Sequence, residues 1–266
     1  MSDQAIAVLS SSRDPNELVT AALTLARSRQ RQDHQSLGNW LVAPNFLLLL
    51  DSAQEYAQTG RRLRIQRVLQ ALADNPAQSA KELLVSLTQS RGFLEHRTRI
   101  EYLLRACASV RPAPPEVIRF WDRYSQPDDG FSNVTMDAVI SNGSAPAMQL
   151  AERKLAEEAQ PEEDREHWIH CYILSHRNDP GVLQGCLQML SGTLPARFRP
   201  MLVDALFDYR PTEWFTPAET CKPPDRAQAS PEARQLLHAI AGQAHTVNLT
   251  PAQQQAITRT LHEIGQ

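Results

Sequence analysis

The densest collection of side chains able to hold a metal or move a proton is Glu162-Glu163-Asp164-Arg165-Glu166-His167-Trp168-Ile169-His170-Cys171, with His176 just beyond. On a helix, residues three or four apart share a face. Glu163 and His167 are four apart, Glu166 and His170 likewise, and His167 and His170 three apart, so two imidazoles and two carboxylates would converge. Those are the donors of a zinc-type site or of an acid–base pair. No second segment supplies ligands at matched spacing. Glu163, His167 and His170 therefore stand as the metal or acid–base candidates, against the preferred reading of a capped helix. In that reading the acids of the first turn favour the positive end of the dipole, and His and Trp pack at the edge of a stack.

A second chemistry is anion recognition. Arg61, Arg62, Arg64 and Arg67, followed by Arg91, His96, Arg97, Arg99, Arg105 and Arg111, would form a basic stripe if they lined up. Such a stripe neutralises phosphate, nucleic acid or an acidic peptide. Glu95 and Glu101 interrupt it and no lysine run supports it, so a solvated face is the plainer reading. Trp214-Phe215, between Pro211 and Pro217, is either an exposed recognition element or a buried anchor, and burial is preferred because large aromatics contribute much area. Neither a glycine-rich phosphate loop, a Gly-x-Ser-x-Gly elbow nor a His-Glu-x-x-His helix is present. The expectation is a chain that is not an enzyme and needs no cofactor.

These residues must be positioned by helices. The 266 residues are 42% apolar and 21% charged, with ten glycines, enough for a real core. β-Branched and aromatic residues never alternate with polar ones as in a half-buried strand, so the chain reads as all-α. The longest apolar run, Phe46-Leu47-Leu48-Leu49-Leu50, is far shorter than the ~18 residues of a membrane span. Met1-Ser2-Asp3-Gln4 carries no basic segment ahead of an apolar one, so a cytoplasmic location is expected. Cys107, Cys171, Cys186 and Cys221 are widely scattered and read as reduced packing residues. The net charge of −3 conceals an asymmetry: residues 20–111 hold 13 basic and 7 acidic side chains, whereas 134–266 hold 11 and 16. Arg outnumbers Lys 24 to 3, which a coding bias explains as well as a need for guanidinium forks.

Proline sets the rhythm. Pro15, Pro44, Pro76, Pro115, Pro146, Pro180 and Pro211 fall 29 to 39 residues apart, each interval long enough for two short helices and two turns. Placed at helix starts, they lose no backbone bond. Single apolar stripes follow them, such as Leu18, Val19, Ala22, Leu23 and Ala26 after Asp14-Pro15, and Val182, Cys186 and Leu190 after Asp179-Pro180. A one-striped helix buries that stripe only against neighbours. The pattern predicts an α-solenoid of about six antiparallel helix pairs with a C-terminal helical cap. Its expected divisions are a repeat array over 1–209, a Pro-rich loop or linker over 210–231 and a cap over 232–266.

Asp179-Pro180-x-Val182-x-x-x-Cys186-x-x-x-Leu190-x-Gly192, followed by Leu194 to Leu206, resembles a HEAT- or armadillo-type helical repeat; Asp14-Pro15 and Asn75-Pro76 echo it. Leu183 stands where such repeats often carry a basic residue. The resemblance implies a scaffold that binds a partner protein or peptide. Some HEAT-like proteins are DNA glycosylases, but those are strongly basic overall. The alternative expectation is nucleic-acid binding through the Arg-rich stretch 61–111. Arg61, Arg64, Arg91, Arg97, Arg99, Arg105, Trp214 and Phe215 are the candidate binding residues.

Overall fold

A computed structural model of the chain describes residues 2–43, 64–126, 130–157, 165, 167–169, 172–173, 176–207, 226–244 and 249–265. Among the described residues every regular element is helical and none is a strand. The chain divides into two compact units, Met1–Arg123 and Tyr124–Gln266.

The first unit comprises α1 (Ser2–Ser11), α2 (Pro15–Arg27), α3 (Arg31–Leu41), α4 (Arg64–Asp74), α5 (Gln78–Leu87), α6 (Arg97–Cys107) and most of α7 (Pro115–Tyr124). Helix starts follow local chemistry. The Asp14 carboxylate accepts from the Asn16 N–H at 2.8 Å and Pro15 occupies the first helical position, where its missing N–H is not needed. Pro115 likewise opens α7, but Pro76 lies two residues ahead of Gln78, outside α5.

Each helix buries one face, as with Ile65, Val68, Leu69 and Leu72 of α4, all fully buried. The burial is arranged in two layers: α2 packs on α4 and α4 on α6, while α3 packs on α5. Helix α1 leans on α2 and α3, where the Trp40 indole N–H donates to the Leu9 carbonyl at 2.8 Å.

The second unit holds α8 (Ser132–Asn142), α9 (Ala145–Ala156), α10 (Pro180–Gln188), α11 (Arg199–Phe207), α12 (Pro231–Ala244) and α13 (Pro251–Gly265). Asp179 caps α10, accepting from the N–H groups of Gly181 and Val182 at 2.8 and 3.3 Å. Val182, Cys186 and Leu190 are buried together on the same face, Leu190 lying in the wide turn that ends α10. Stacking again joins alternate helices: α10 packs on α12 and α11 on α13. The Pro-rich stretch is outside the described residues as far as 225; a short 3-10 turn, Arg226–Gln228, then precedes α12.

Candidate functional site

Of the acid–base candidates, only His167 is among the described residues. Glu163 and His170 lie outside the described residues. The His167 ring nitrogen Nε2 pairs with Asp137 Oδ1 of α8 at 3.1 Å. On either side of it, the Trp168 indole N–H donates to Asn133 Oδ1 at 2.7 Å, and His176 Nε2 donates to the Ile140 carbonyl at 2.9 Å. His176 sits against Gly143, whose φ of +65° ends α8 and where a Cβ would come within 2.7 Å of the ring. These polar side chains tie His167, Trp168 and His176 to α8. Among the described residues no group of three or more His, Cys, Asp or Glu is placed to hold a metal ion.

The arginine stretch separates. Arg61 is outside the described residues, as are Trp214 and Phe215. Arg99 is only 3% exposed and belongs to the core instead of a basic surface. Its Nη1 donates to the Gly92 carbonyl at 2.8 Å, its charge lies over the Phe93 ring, and burial lowers its pKa to about 10. Arg105 is exposed but reaches Glu101 one turn away at 3.5 Å. Arg91 and Arg97 are exposed and Arg64 is half-buried.

Arg99 is one of several buried or half-buried cations among the described residues that donate to carbonyls left over where helices end or turns begin. Lys81 donates to Ala73 near the end of α4, Arg165 to Leu155 near the end of α9, and Arg226 to Leu206 near the end of α11 and to Arg177. Terminal carbonyls carry the negative end of the helix dipole and lack intrahelical partners, so a guanidinium satisfies both needs. Burial lowers the Arg226 pKa to about 9, and the neighbouring Arg177 guanidinium pushes the same way. Arg99, Arg165 and Arg226 therefore hold helix ends and turns.

Three arginines are not used in that way. A cleft of about 650 Å³ opens where α2 meets α4 in the first unit, and Arg27, Arg29 and Arg67 line it with Gln70, Asp74, Asn75 and an apolar floor of Leu23, Ala71 and Pro76. Arg27 is the last residue of α2 and Arg29 lies two beyond it. On α4, residues 67, 70, 71 and 74 recur at helical spacing beside the buried face, so the fold that buries Val68 and Leu72 turns Arg67 and Gln70 toward the opening. All three arginines are exposed, and none makes an ion pair or hydrogen bond with a described residue. The one carboxylate in the lining, Asp74, accepts from the Gln70 amide at 2.7 Å. Three cations and one anion leave the cleft at a formal +2.

The wall carrying Arg27 and Arg29 is held by Asn75. Its buried side-chain amide donates to the Ala26 and Ser28 carbonyls at 2.8 and 2.6 Å, and its oxygen accepts from the Ala77 N–H at 2.9 Å. Beneath it, His34 Nδ1 bonds to the Ser79 hydroxyl at 2.7 Å while Nε2 faces the Asn75 amide at 3.4 Å. Burial lowers the His34 pKa, partly offset by the Ser28 backbone and by Asp33.

A second groove, about 610 Å³ between α3 and α5, has its flanking charges matched, with Arg31 and Glu82 paired at 2.9 Å. The α2–α4 cleft differs in having unmatched charge. Arg67 belongs to the stretch that sequence alone marks as basic, but Arg27 and Arg29 do not. Their only signal is the excess of 13 basic over 7 acidic side chains across residues 20–111.

Compared with known proteins, the chain matches no family model, no curated protein and no solved structure.

Proposed function

We propose that this protein is a non-catalytic interaction scaffold, a helical-repeat array of the HEAT or armadillo kind that holds a partner protein or peptide on its surface in the cytoplasm. One observation carries the reading: in each unit, alternate helices stack on one another, α2 on α4 on α6 and α3 on α5 in the first, α10 on α12 and α11 on α13 in the second. That is how one-striped helix pairs bury their stripes in a solenoid, with α12 and α13 as its cap. An array of this kind leaves long helix edges to solvent, and the cleft at α2 and α4 is the edge whose charge is unmatched. The nucleic-acid reading loses support because Arg99 is buried and Arg105 is paired with Glu101.

Photo-cross-linking in cells tests the proposal. A photoreactive residue replacing Gln70, in the cleft, should give a discrete protein adduct that the same residue at exposed Gln235 does not. A nuclease-sensitive adduct at Gln70 would replace the scaffold reading with nucleic-acid binding, and no adduct at either position would overturn it.

A further inference from the structure

Arg27, Arg29 and Arg67 are exposed, and they face one cleft with no partner among the described residues. Asp74 already accepts from Gln70, and the Ala26 and Ser28 carbonyls accept from Asn75. Like charges brought to one opening repel, and nothing in the packing of α2 on α4 requires them there. An external anion is what this arrangement fits.

We infer that the cleft receives an acidic peptide segment, with Asp or Glu carboxylates seated on the three guanidinium groups and an apolar side chain between them on Leu23, Ala71 and Pro76. This rests on the scaffold reading above. Guanidinium forks match carboxylate and phosphate alike, so four features decide for a peptide. The cleft lies at the C-terminal ends of α2 and α4, where the dipoles are negative and a dense dianion is penalised more than dispersed single charges. Its floor is apolar. Among the described residues the lining itself offers no further cation, and Lys81 and Arg99 are engaged elsewhere, Lys81 on the Ala73 carbonyl and Ser109, and Arg99 in the core. A volume of about 650 Å³ holds a few side chains, not a strand of nucleic acid.

The test uses the full chain and a labelled peptide of about ten residues, glutamates flanking a central leucine, followed by fluorescence anisotropy at low salt. Binding is expected, with each of R27A, R29A and R67A weakening it up to about fivefold, as for single exposed ion pairs. The triple variant should weaken it at least about tenfold, and R91A, an exposed control outside the cleft, should leave it unchanged. A peptide with lysine in place of glutamate should not bind. On the unmodified protein, the acidic peptide should protect Arg27, Arg29 and Arg67, but not Arg91, from phenylglyoxal, a readout that does not depend on how the variants fold. Equal affinity for the triple variant, or no protection, would overturn the inference. So would polyphosphate or a single-stranded oligonucleotide binding tighter than the peptide and losing that binding in the triple variant. If the peptide fails while Gln70 still cross-links to a protein, the acidic ligand falls and the scaffold stands; if the peptide binds but no cellular protein cross-links, the scaffold reading is what fails.

Discussion

Asn75→Ala is the substitution that most directly tests how the cleft is held. Asn75 is 5% exposed and uses three hydrogen bonds to tie the end of α2 to the start of the turn before α5, at 2.8, 2.6 and 2.9 Å. A typical intramolecular bond contributes a net 0.5–1.5 kcal/mol, and an acceptor left buried and unsatisfied costs about 1–3 kcal/mol. The Ala26 carbonyl bond is buried, whereas those to Ser28 and Ala77 are partly exposed and open to water in the variant. The loss should therefore come to about 2–4 kcal/mol, below the sum of three full penalties. Urea unfolding followed by circular dichroism, read from the transition of the first unit, measures it. Asn75→Asp sharpens the argument. It keeps the acceptor for Ala77 but turns a carboxylate oxygen toward two carbonyls, so it should destabilise at least as much as alanine. Affinity for the acidic peptide should fall in both, because Arg27 and Arg29 lose their anchorage. Wild-type stability for Asn75→Ala, or rescue by Asn75→Asp, would refute the clamp.

Burial depresses the His34 pKa below its ordinary 6.5, so the unfolded chain binds the proton that the folded chain resists. Stability should thus hold above about pH 7.5 and fall as pH drops through 6.5 toward 5.5, and His34→Gln should lose that part of the slope; urea titrations at the two ends check it, and parallel curves for variant and wild type would refute it. Leu190→Ala should destabilise by about 2–5 kcal/mol, since Leu190 is 5% exposed beside Val182 and Cys186; an unchanged thermal midpoint would mean that this face does not pack. Burial raises the thiol pKa of Cys107 and Cys186 well above the usual range, so both should resist iodoacetamide in the native protein and react in urea, as mass mapping of the labelled sites would show.

Helix starts were the most legible feature of this sequence. Asp14-Pro15 and Asp179-Pro180 carry their own instructions, because an N-cap bond spans two or three residues and proline's fixed φ acts on its own position. The buried faces were legible for a similar reason: one stripe every 3.6 residues names the side that must leave water, as it does for Val68, Leu69 and Leu72. The fate of the polar side chains was not written at that range. Nothing near His167 in the sequence announced that its ring meets Asp137, thirty residues back on α8. Arg99 sat in a run of basic residues with nothing to separate it from Arg97, until a turn placed the Gly92 carbonyl within reach. The cleft needed Arg27 and Arg29 brought beside Arg67, and that register comes from apolar packing of α2 on α4 and from Asn75 reaching back 49 residues to Ala26. Local backbone preference and hydrophobic period are properties of a few consecutive residues, and sequence alone determined both. Which charges are neutralised, buried or left facing solvent depends on atoms far apart in the chain, so only the tertiary structure decided it.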